Sequence, residues 1–485
     1  MQKFKLGTSS SAYQYEGAWN KDGRGESIWD KFVHEIPSPI LDGATGDEAC
    51  ESYYLYKTDI QNVKYIQASY YRFSISWSRI IPDGTGEINP KGIQYYNDLI
   101  DECVHNNIVP LVTLFHWDLP QALQGNDPET GGLGNKDSKA IRCAFVYYAD
   151  ICFREFGDRV KHWITLNEPE TYASQGYNSG IFAPGIENPA PQSQPYTVAY
   201  NQLKCHASIV HHYREKYKQV QGGKISIALN CDGFFPQNPS DQADIDATRR
   251  AFDWFIGIFA DPIFLGKFPD SVEKRCSVPY PRLPVITDYW KKKIINSIDF
   301  FCLNTYTGNQ IQNSPNEDYT WYGDQELVKL PATGAALACG TTWLYNYPPS
   351  IYLVLQNLVE QYGVKFTSLE IAITENGWSN CPPDGSNNTL QDWERISYLQ
   401  GQLNYLKLAI ENFHLNVSVY CAWSLNDNFE WASGYTSRFG LFQVDFESPE
   451  KTRTPKESAK WIRNITTDGY IDSRKVNEQV FKTLS

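Results

Sequence analysis

The chain has 485 residues, of which 41% are hydrophobic and 20% charged, and its net charge is −13 at pH 7. This acidic balance argues against nucleic acid or an anionic membrane surface as a partner, and no apolar run is long enough to span a bilayer. We find no linker, low-complexity tract or internal repeat, so we expect a single domain over residues 1–485.

Short apolar segments alternate with longer amphipathic ones along the chain, which predicts strands alternating with helices. The strand candidates are Phe4–Gly7, Tyr70–Ser76, Ile108–Leu114, Trp163–Leu166, Lys224–Leu229, Phe300–Asn304, Glu370–Thr374 and Val417–Ala422. The helix candidates include Pro90–Asn106, Lys139–Phe156, Tyr196–Tyr217, Pro348–Tyr362 and Asp392–Asn412. Pro90 and Pro348 suit first-turn positions, and Asp392 suits a cap.

Eightfold alternation of this kind predicts an α/β fold, a (β/α)8 TIM barrel with long βα loops. A doubly wound open sheet is the competing architecture, but no glycine-rich phosphate loop follows an early strand. In a barrel, the chemistry is expected where the strands end at their carboxyl side. The residues found there are Arg72, His116, Trp117, Asn167, Glu168, Asn304, Tyr306, Glu375 and Trp423.

Each of these residues alone has a simpler structural explanation. His116 could be a hydrogen-bonded core histidine, Arg72 a buried ion pair, and Tyr306 a residue that closes the barrel. Their shared position favours a site, because a separate explanation would otherwise be needed for each residue.

Two glutamates stand out because each follows an apolar strand candidate. Glu168 comes after Trp163–Leu166, and Glu375 after Ile371–Thr374. A carboxylate at the edge of an apolar core is costly unless it is paired or used. Paired carboxylates are the groups that cleave a glycosidic bond.

The spacing of His206, His211 and His212 does not suit metal ligands, so we expect neither a metal nor a cofactor.

The eleven cysteines show no spacing typical of a zinc site or a disulfide framework, and only Cys381 stands out as a candidate for pairing. Glycosylation sequons begin at Asn387, Asn416 and Asn464. Residues 1–30 lack a signal peptide, which would suit a mature form with an added Met1. We expect a secreted glycoprotein, with a cytoplasmic location as the alternative, and the sequence leaves a homodimer open.

Seven motifs occur in a characteristic order: Tyr13–Gly17, Tyr71–Trp77, Phe115–Pro120, Thr165–Pro169, Asn304–Tyr306, Ile373–Gly377 and Asp427–Trp431. On these residues the chain resembles glycoside hydrolase family 1, the β-glucosidase family, over essentially its whole length. It looks most like the animal branch, and within that branch like insect enzymes.

The resemblance implies a retaining mechanism with Glu375 as nucleophile, Glu168 as acid/base, and Arg72 and Tyr306 hydrogen-bonded to Glu375. In retaining enzymes the two carboxyl groups lie about 5–5.5 Å apart. The resemblance also implies a small-molecule β-glycoside substrate. The residues expected to bind it are Gln14, His116, Trp117, Asn167, Asn304, Trp423, Glu430 and Trp431, with Trp343 beside the aglycone.

Departures from the family pattern bear on the substrate. Residues 432–438 lack the lysine of members that act on phosphorylated sugars, which favours an unmodified glucoside. Glu168 is kept, whereas plant thioglucosidases carry glutamine there. Leu133 and Pro349-Ser350 depart from the common residues, which leaves the leaving-group preference open. The alternatives are a thioglucosidase acting on glucosinolates and an inactive member that binds a glycan or a protein.

Overall fold

A closed barrel of eight parallel strands forms the centre of the computed structural model, which describes residues 4–127, 131–381 and 389–478. The last strand pairs with the first, Lys5 opposite Val419 and Ser9 opposite Trp423, and this pairing closes the barrel. The predicted TIM barrel is confirmed. In chain order the strands are β1 (Lys5–Ser9), β2 (Tyr70–Ser74), β3 (Val109–Thr113), β4 (His162–Asn167), β5 (Lys224–Asn230), β6 (Phe301–Asn304), β7 (Glu370–Asn376) and β8 (Asn416–Trp423).

The five helix candidates are confirmed, with ends shifted by a few residues. They span Pro90–His105, Lys139–Phe156, Gln194–Lys216, Ser350–Tyr362 and Trp393–Phe413. Pro90 is the first helical residue, as predicted, and the Asn89 side chain caps the backbone there. Asp392 occupies the predicted N-cap position, although its side chain pairs with Arg395 instead of capping.

The prediction for Pro348 is wrong. The helix begins at Ser350 with Pro349 as its N-cap residue. A residue before proline is disfavoured in helical conformation, so Pro349 keeps Pro348 out of the first turn.

Further helices, most of them shorter, fill the connections. They span Ala12–Tyr15, Ile28–Val33, Ser52–Tyr65, Trp77–Ile80, Gln121–Gln124, Pro169–Tyr177, Lys218–Gln221, Gln242–Phe252, Ile258–Phe264, Asp270–Arg275, Asp288–Ile294, Val364–Thr367, Glu457–Ile465 and Lys475–Glu478. Single turns of 3-10 helix occur at Gly132–Gly134, Gly323–Gln325 and Trp431–Ser433, and a π-helical turn at Asp253–Gly257. None of the described helices is both long and apolar enough to cross a membrane.

A small sheet lies outside the barrel, and we call it the accessory sheet. Its strands are Gly233–Pro236, Gly308–Asn313 and Leu327–Pro331. Lys329 lies opposite Ile311, and Asn309 lies opposite both Pro331 and Phe234. Since side chains alternate along a strand, all five residues share one face of the sheet. The remaining short strands pair Phe442–Val444 with Arg453–Pro455, and Thr466–Thr467 with Tyr470–Ile471.

The interior of the barrel is apolar over much of its length and polar at the carboxyl ends of the strands. The apolar cluster contains Leu111, Ile164, Ala228, Phe300, Cys302, Ala372, Val419 and Cys421, all nearly fully buried. A much larger apolar layer lies between the barrel and the helices. Burying each large aliphatic side chain contributes about 1.5–3 kcal/mol, so this packing holds the polar end rigidly in place.

Cys339 and Cys381 form a disulfide across a sequence separation of 42 residues. The expectation of no disulfide framework is therefore corrected for one pair; the sequence singled out Cys381 but gave no partner. The bond joins the loop that leads to Trp343 with the loop that follows β7. Of the sequon asparagines, Asn416 and Asn464 are exposed, and the Asn387 sequon begins outside the described residues.

Candidate active site

A cavity of about 570 Å³ opens at the carboxyl ends of the barrel strands. The structure brings most of the predicted site residues together there. Arg72 and Gln14 do not line the cavity; both are fully buried and contact residues that do. The predicted residues that line it are His116, Trp117, Asn167, Glu168, Asn304, Tyr306, Trp343, Glu375, Trp423, Glu430 and Trp431.

Both carboxylate oxygens of Glu375 accept hydrogen bonds, one from a buried arginine and the other from a partly buried tyrosine. Arg72 Nη1 lies 2.5 Å from Oε1, and Tyr306 Oη lies 2.7 Å from Oε2. Burial and the Glu375 charge raise the pKa of Tyr306 well above its usual value, so the phenol keeps its proton and donates. The pairing of β7 with β6 shifts register just before Glu375. Such an irregularity redirects a side chain, here toward the cavity.

Glu168 follows β4 in a left-handed backbone conformation, with φ of 41°. It precedes Pro169, the first residue of helix Pro169–Tyr177. Its oxygens accept from Asn304 Nδ2 at 2.8 Å and from Thr171 Oγ1 at 3.0 Å. Burial, reinforced by the charge of Glu375, raises the pKa of Glu168 to about 8. The carboxyl group is therefore protonated at neutral pH.

Amide side chains connect the two glutamates. Asn167 Oδ1 accepts from Arg72 Nη2 at 2.5 Å and from Asn304 Nδ2 at 3.1 Å. Asn304 Nδ2 also donates to Glu168. A continuous set of hydrogen bonds therefore runs from Glu375 through Arg72, Asn167 and Asn304 to Glu168. This connection fixes the side chains of two strands that are far apart in sequence.

His116 is neutral, because burial and the Arg72 charge lower its pKa well below the usual value. Its Nε2 lies 3.0 Å from Asn167 Nδ2, and we assign Nε2 as the acceptor. The proton is then on Nδ1, which has no protein acceptor among the described residues. The ring is nearly parallel to the indoles of Trp423 and Trp431, with centroids 6.0 and 5.9 Å away.

Glu430 is a third buried carboxyl group in the wall. Burial and the Glu375 charge raise its pKa to about 8, and the Trp423 indole hydrogen-bonds to it. Gln14 Nε2 lies 3.4 Å from Glu430 Oε2 and 3.0 Å from both Asn428 Oδ1 and the Phe429 carbonyl. The Gln14 amide therefore stabilises the loop that contains Glu430 through hydrogen bonds to residues 428–430.

Two of the predicted tryptophans differ in exposure. Trp343 lines the mouth with 45% of its surface exposed, and its ring meets that of Tyr306 edge-on at 5.7 Å. Trp117 is buried and donates from Nε1 to the Asn167 carbonyl at 2.8 Å. Its indole also packs against Trp431 at 4.6 Å.

Three charged residues in the wall were missed by the sequence analysis: Glu170, Asp232 and Lys329. Burial raises the pKa of Glu170 to about 7 and that of Asp232 to about 6. Asp232 was within reach of prediction, because it lies two residues beyond the end of β5. Glu170 is adjacent to the Thr165–Pro169 motif but carries no separate signal. Lys329 depends on the accessory sheet, which was not predicted.

The family model for glycosyl hydrolase family 1 matches residues 1–470. The chain belongs to this family. It is 41% identical to β-glucosidase 11 of rice (Oryza sativa subsp. japonica), over 97% of the chain and 90% of the relative. A rice β-glucosidase, Os3BGlu6 in a covalent complex with Glc, superposes with a TM-score of 0.89 at 38% identity, covering 96% of this chain and 98% of the other.

An aphid myrosinase superposes with a TM-score of 0.87 at 37% identity, covering 95% of this chain and 97% of the other. Plant, human and fungal glycosidases all match at similar identity, so the comparisons establish the β-glucosidase family but not the animal branch. Together with the cavity and its buried glutamates, they identify an enzyme that hydrolyses β-glucosides.

Proposed function

We propose that Glu375 is the nucleophile and Glu168 the acid/base of a retaining β-glucosidase that removes terminal non-reducing β-D-glucosyl residues from oligosaccharides or from aryl and alkyl glucosides. One observation carries this assignment. Two carboxyl groups in the same cavity have opposite environments: both oxygens of Glu375 accept from Arg72 and Tyr306, whereas burial raises the pKa of Glu168 to about 8. Two carboxyl groups in such different environments can divide the roles of nucleophile and acid.

In the first step, a Glu375 oxygen attacks C1 of the sugar and the bond from C1 to the glycosidic oxygen breaks. Glu168 gives its proton to that oxygen, and the aglycone leaves as an alcohol. The product on the enzyme is a glycosyl ester of Glu375. Arg72 and Tyr306 hold the carboxylate in position for attack through hydrogen bonds to both of its oxygens.

In the second step, Glu168 acts as the base and Glu375 as the leaving group. Esterification removes the Glu375 charge, which had helped raise the pKa of Glu168, so Glu168, which has given its proton to the aglycone, stays ionised more readily. The Glu168 carboxylate then takes a proton from water as the water oxygen attacks C1. The ester bond breaks, glucose leaves with its β configuration retained, and both glutamates return to their starting states.

We propose that the sugar whose C1 is attacked is held by His116, Asn167, Asn304, Trp423 and Glu430. The His116 ring lines the cavity and is neutral, and its Nε2 lies 3.0 Å from the Asn167 amide nitrogen. A sugar hydroxyl that enters beside these two groups can share their hydrogen bonds. Glu430 and the indoles of Trp423 and Trp431 offer the hydrogen-bonding and stacking surfaces that a pyranose ring needs.

A thioglucosidase is the second candidate, because the similarity to an aphid myrosinase is nearly as high as that to the rice β-glucosidase. An inactive binding protein is disfavoured by the presence of both glutamates. The test compares specificity constants for cellobiose, an aryl β-glucoside and a glucosinolate. We expect the two O-glucosides to be preferred. A glucosinolate preference would support the thioglucosidase, and ligand binding without turnover of any substrate would support the inactive protein.

We also propose that the protein is secreted and glycosylated, and that residues 1–485 form one domain. The disulfide between Cys339 and Cys381 suits an oxidising compartment, and the exposed Asn416 and Asn464 are acceptors within sequons. Glycopeptide mass spectrometry of the native protein tests this: unmodified peptides at every sequon would contradict glycosylation. The homodimer and the animal branch stay predictions.

A further inference from the structure

Lys329 is a lysine in the wall of the catalytic cavity whose ammonium group rests on aromatic rings. Its Nζ lies 4.4 Å from the ring centroid of Phe255 and 5.0 Å from that of Phe234. Among the described residues no carboxylate oxygen lies within 4.0 Å of Nζ. The rings hold the cation by cation–π attraction but cannot accept its hydrogen bonds as an oxygen would. Its donors therefore remain available to a ligand in the cavity.

The accessory sheet places a second polar side chain beside this lysine. Asn309 and Lys329 share one face of the sheet, and both line the cavity. Burial lowers the pKa of Lys329, whereas the charges of Asp232 and Glu170 oppose that shift and favour the ammonium form. This wall thus offers a cation and an amide on one sheet, in the cavity that also contains Glu168 and Glu375.

The charges around Lys329 decide what kind of aglycone fits. The Lys329 charge is opposed by the carboxyl groups of Asp232 and Glu170, and the Arg72 charge is paired with Glu375. Neither cation is left unopposed, which disfavours an anionic aglycone. A purely apolar aglycone would cover the ammonium without supplying an acceptor, and that desolvation is unfavourable. A ring with several hydroxyl groups can accept from Lys329 and donate to the neighbouring oxygens.

We propose that Lys329 and Asn309 form an aglycone subsite for a second sugar ring, so that the enzyme prefers glucosyl oligosaccharides to alkyl or aryl glucosides. This inference rests on the proposed β-glucosidase activity. Lys329 donates hydrogen bonds to hydroxyl groups of the departing sugar, Asn309 adds amide contacts, and Trp343 borders the mouth of the same cavity.

The experiment compares Lys329→Met with a matched control, Lys5→Met. Lys5 also lies over two aromatic rings, those of Tyr70 and Tyr470, but at the amino end of the barrel. For Lys329→Met we expect kcat/KM for cellobiose to fall roughly 10- to 100-fold, because hydrogen bonds to a charged donor are lost. Activity on octyl and aryl β-glucosides should stay within about twofold of the parent. Lys5→Met should leave all of these substrates unchanged.

Three outcomes would overturn the inference. Equal loss on cellobiose and aryl glucoside would make Lys329 a structural residue, unchanged cellobiose hydrolysis would exclude contact, and selective loss on a glucosinolate would assign the subsite to an anion. If Lys329→Met does not fold, Asn309→Ala gives the same comparison, with a selective loss on cellobiose expected. A parent enzyme that hydrolyses neither glucoside would instead refute the proposed function itself.

Discussion

Acidic residues at the two ends of the barrel behave in opposite ways. At the carboxyl end, burial raises the pKa of both Glu168 and Glu430 to about 8. At the amino end, burial acts in the same direction on Glu370 and Asp299, but hydrogen bonds from Lys224 to Glu370 and from Lys218 and Arg214 to Asp299 outweigh it and lower the pKa. Glu370 and Asp299 at the amino end are paired with cations. At the carboxyl end Arg72 pairs with Glu375, whereas Glu168 and Glu430 form no ion pair among the described residues.

Three residues of the cavity wall also have left-handed backbone. Trp117, Glu168 and Trp431, all in the cavity wall, have positive φ values of 77°, 41° and 50°. Left-handed backbone at a residue with a side chain costs roughly 1–3 kcal/mol and persists only where the surrounding packing imposes it. The apolar barrel and its paired amino end therefore stabilise a carboxyl end whose charges and backbone are arranged for chemistry.

The largest expected difference between the two ends is the loss of activity when a glutamate is substituted. Glu168→Gln should lower kcat/KM for cellobiose about 10²–10⁴-fold, the usual contribution of a general acid. Glu370→Gln makes the same chemical change at the amino end and should alter kcat/KM by less than about twofold. Steady-state kinetics of both variants, with circular dichroism to check folding, measures this. Comparable losses of activity in the two variants would refute the proposed difference between the two ends of the barrel.

A smaller effect is expected for a hydroxyl group. Tyr306→Phe removes one of the two side-chain hydrogen bonds to Glu375 and should lower kcat/KM about 10- to 100-fold, since the acceptor is charged. Tyr70→Phe, in the amino half of the barrel, is the matched control and should retain parental rates. Parental activity in Tyr306→Phe would show that this hydrogen bond does not assist attack.

The pH profile sharpens the comparison. Glu168 must carry its proton to act as the acid, so kcat/KM should fall about tenfold per pH unit above its pKa of about 8. Glu430 has a similar pKa, and the titrations are coupled. Glu430→Gln should therefore lower activity overall yet retain an alkaline limb. A profile that stays flat to pH 10, or a limb lost in Glu430→Gln, would assign the titration to another group.

The smallest expected effect is on stability. The folded-state pKa of Glu168 is raised, so the native protein holds this proton more tightly than the unfolded chain, and ionising it destabilises the fold as pH rises from about 4.5 to about 8. Glu168→Gln should accordingly raise the free energy of unfolding by roughly 1–3 kcal/mol at pH 9 and change it little at pH 4.

Lys224→Met should act in the opposite direction. The pKa of Glu370 is lowered, so its pairing stabilises the fold above its unfolded pKa and the benefit is lost as pH falls through the folded one. The pair is half-exposed, so the loss should be under about 1 kcal/mol and confined to neutral or higher pH. Urea unfolding at several pH values measures both variants. The same pH dependence in the two would contradict the account.

Local pattern predicted the barrel and much of its site. Each strand candidate was confirmed because apolar runs bounded by turns report burial directly, and the barrel topology then gathered Glu168 and Glu375 at one end. What the sequence missed depends on tertiary pairing. Lys329 lines the cavity only because Leu327–Pro331 pairs with Gly308–Asn313, and the partner of Cys381 lies 42 residues away without a local signal.

The central claim is that Glu375 attacks the sugar and becomes esterified. The most direct measurement traps that ester with a 2-deoxy-2-fluoro-β-glucoside carrying a good leaving group, followed by proteolysis and tandem mass spectrometry. We expect one equivalent of fluoroglucosyl label on the peptide that contains Ile373–Gly377, fragmenting to Glu375, and no label in Glu375→Gln. A label on any other side chain, or inactivation without a covalent adduct, would contradict the account.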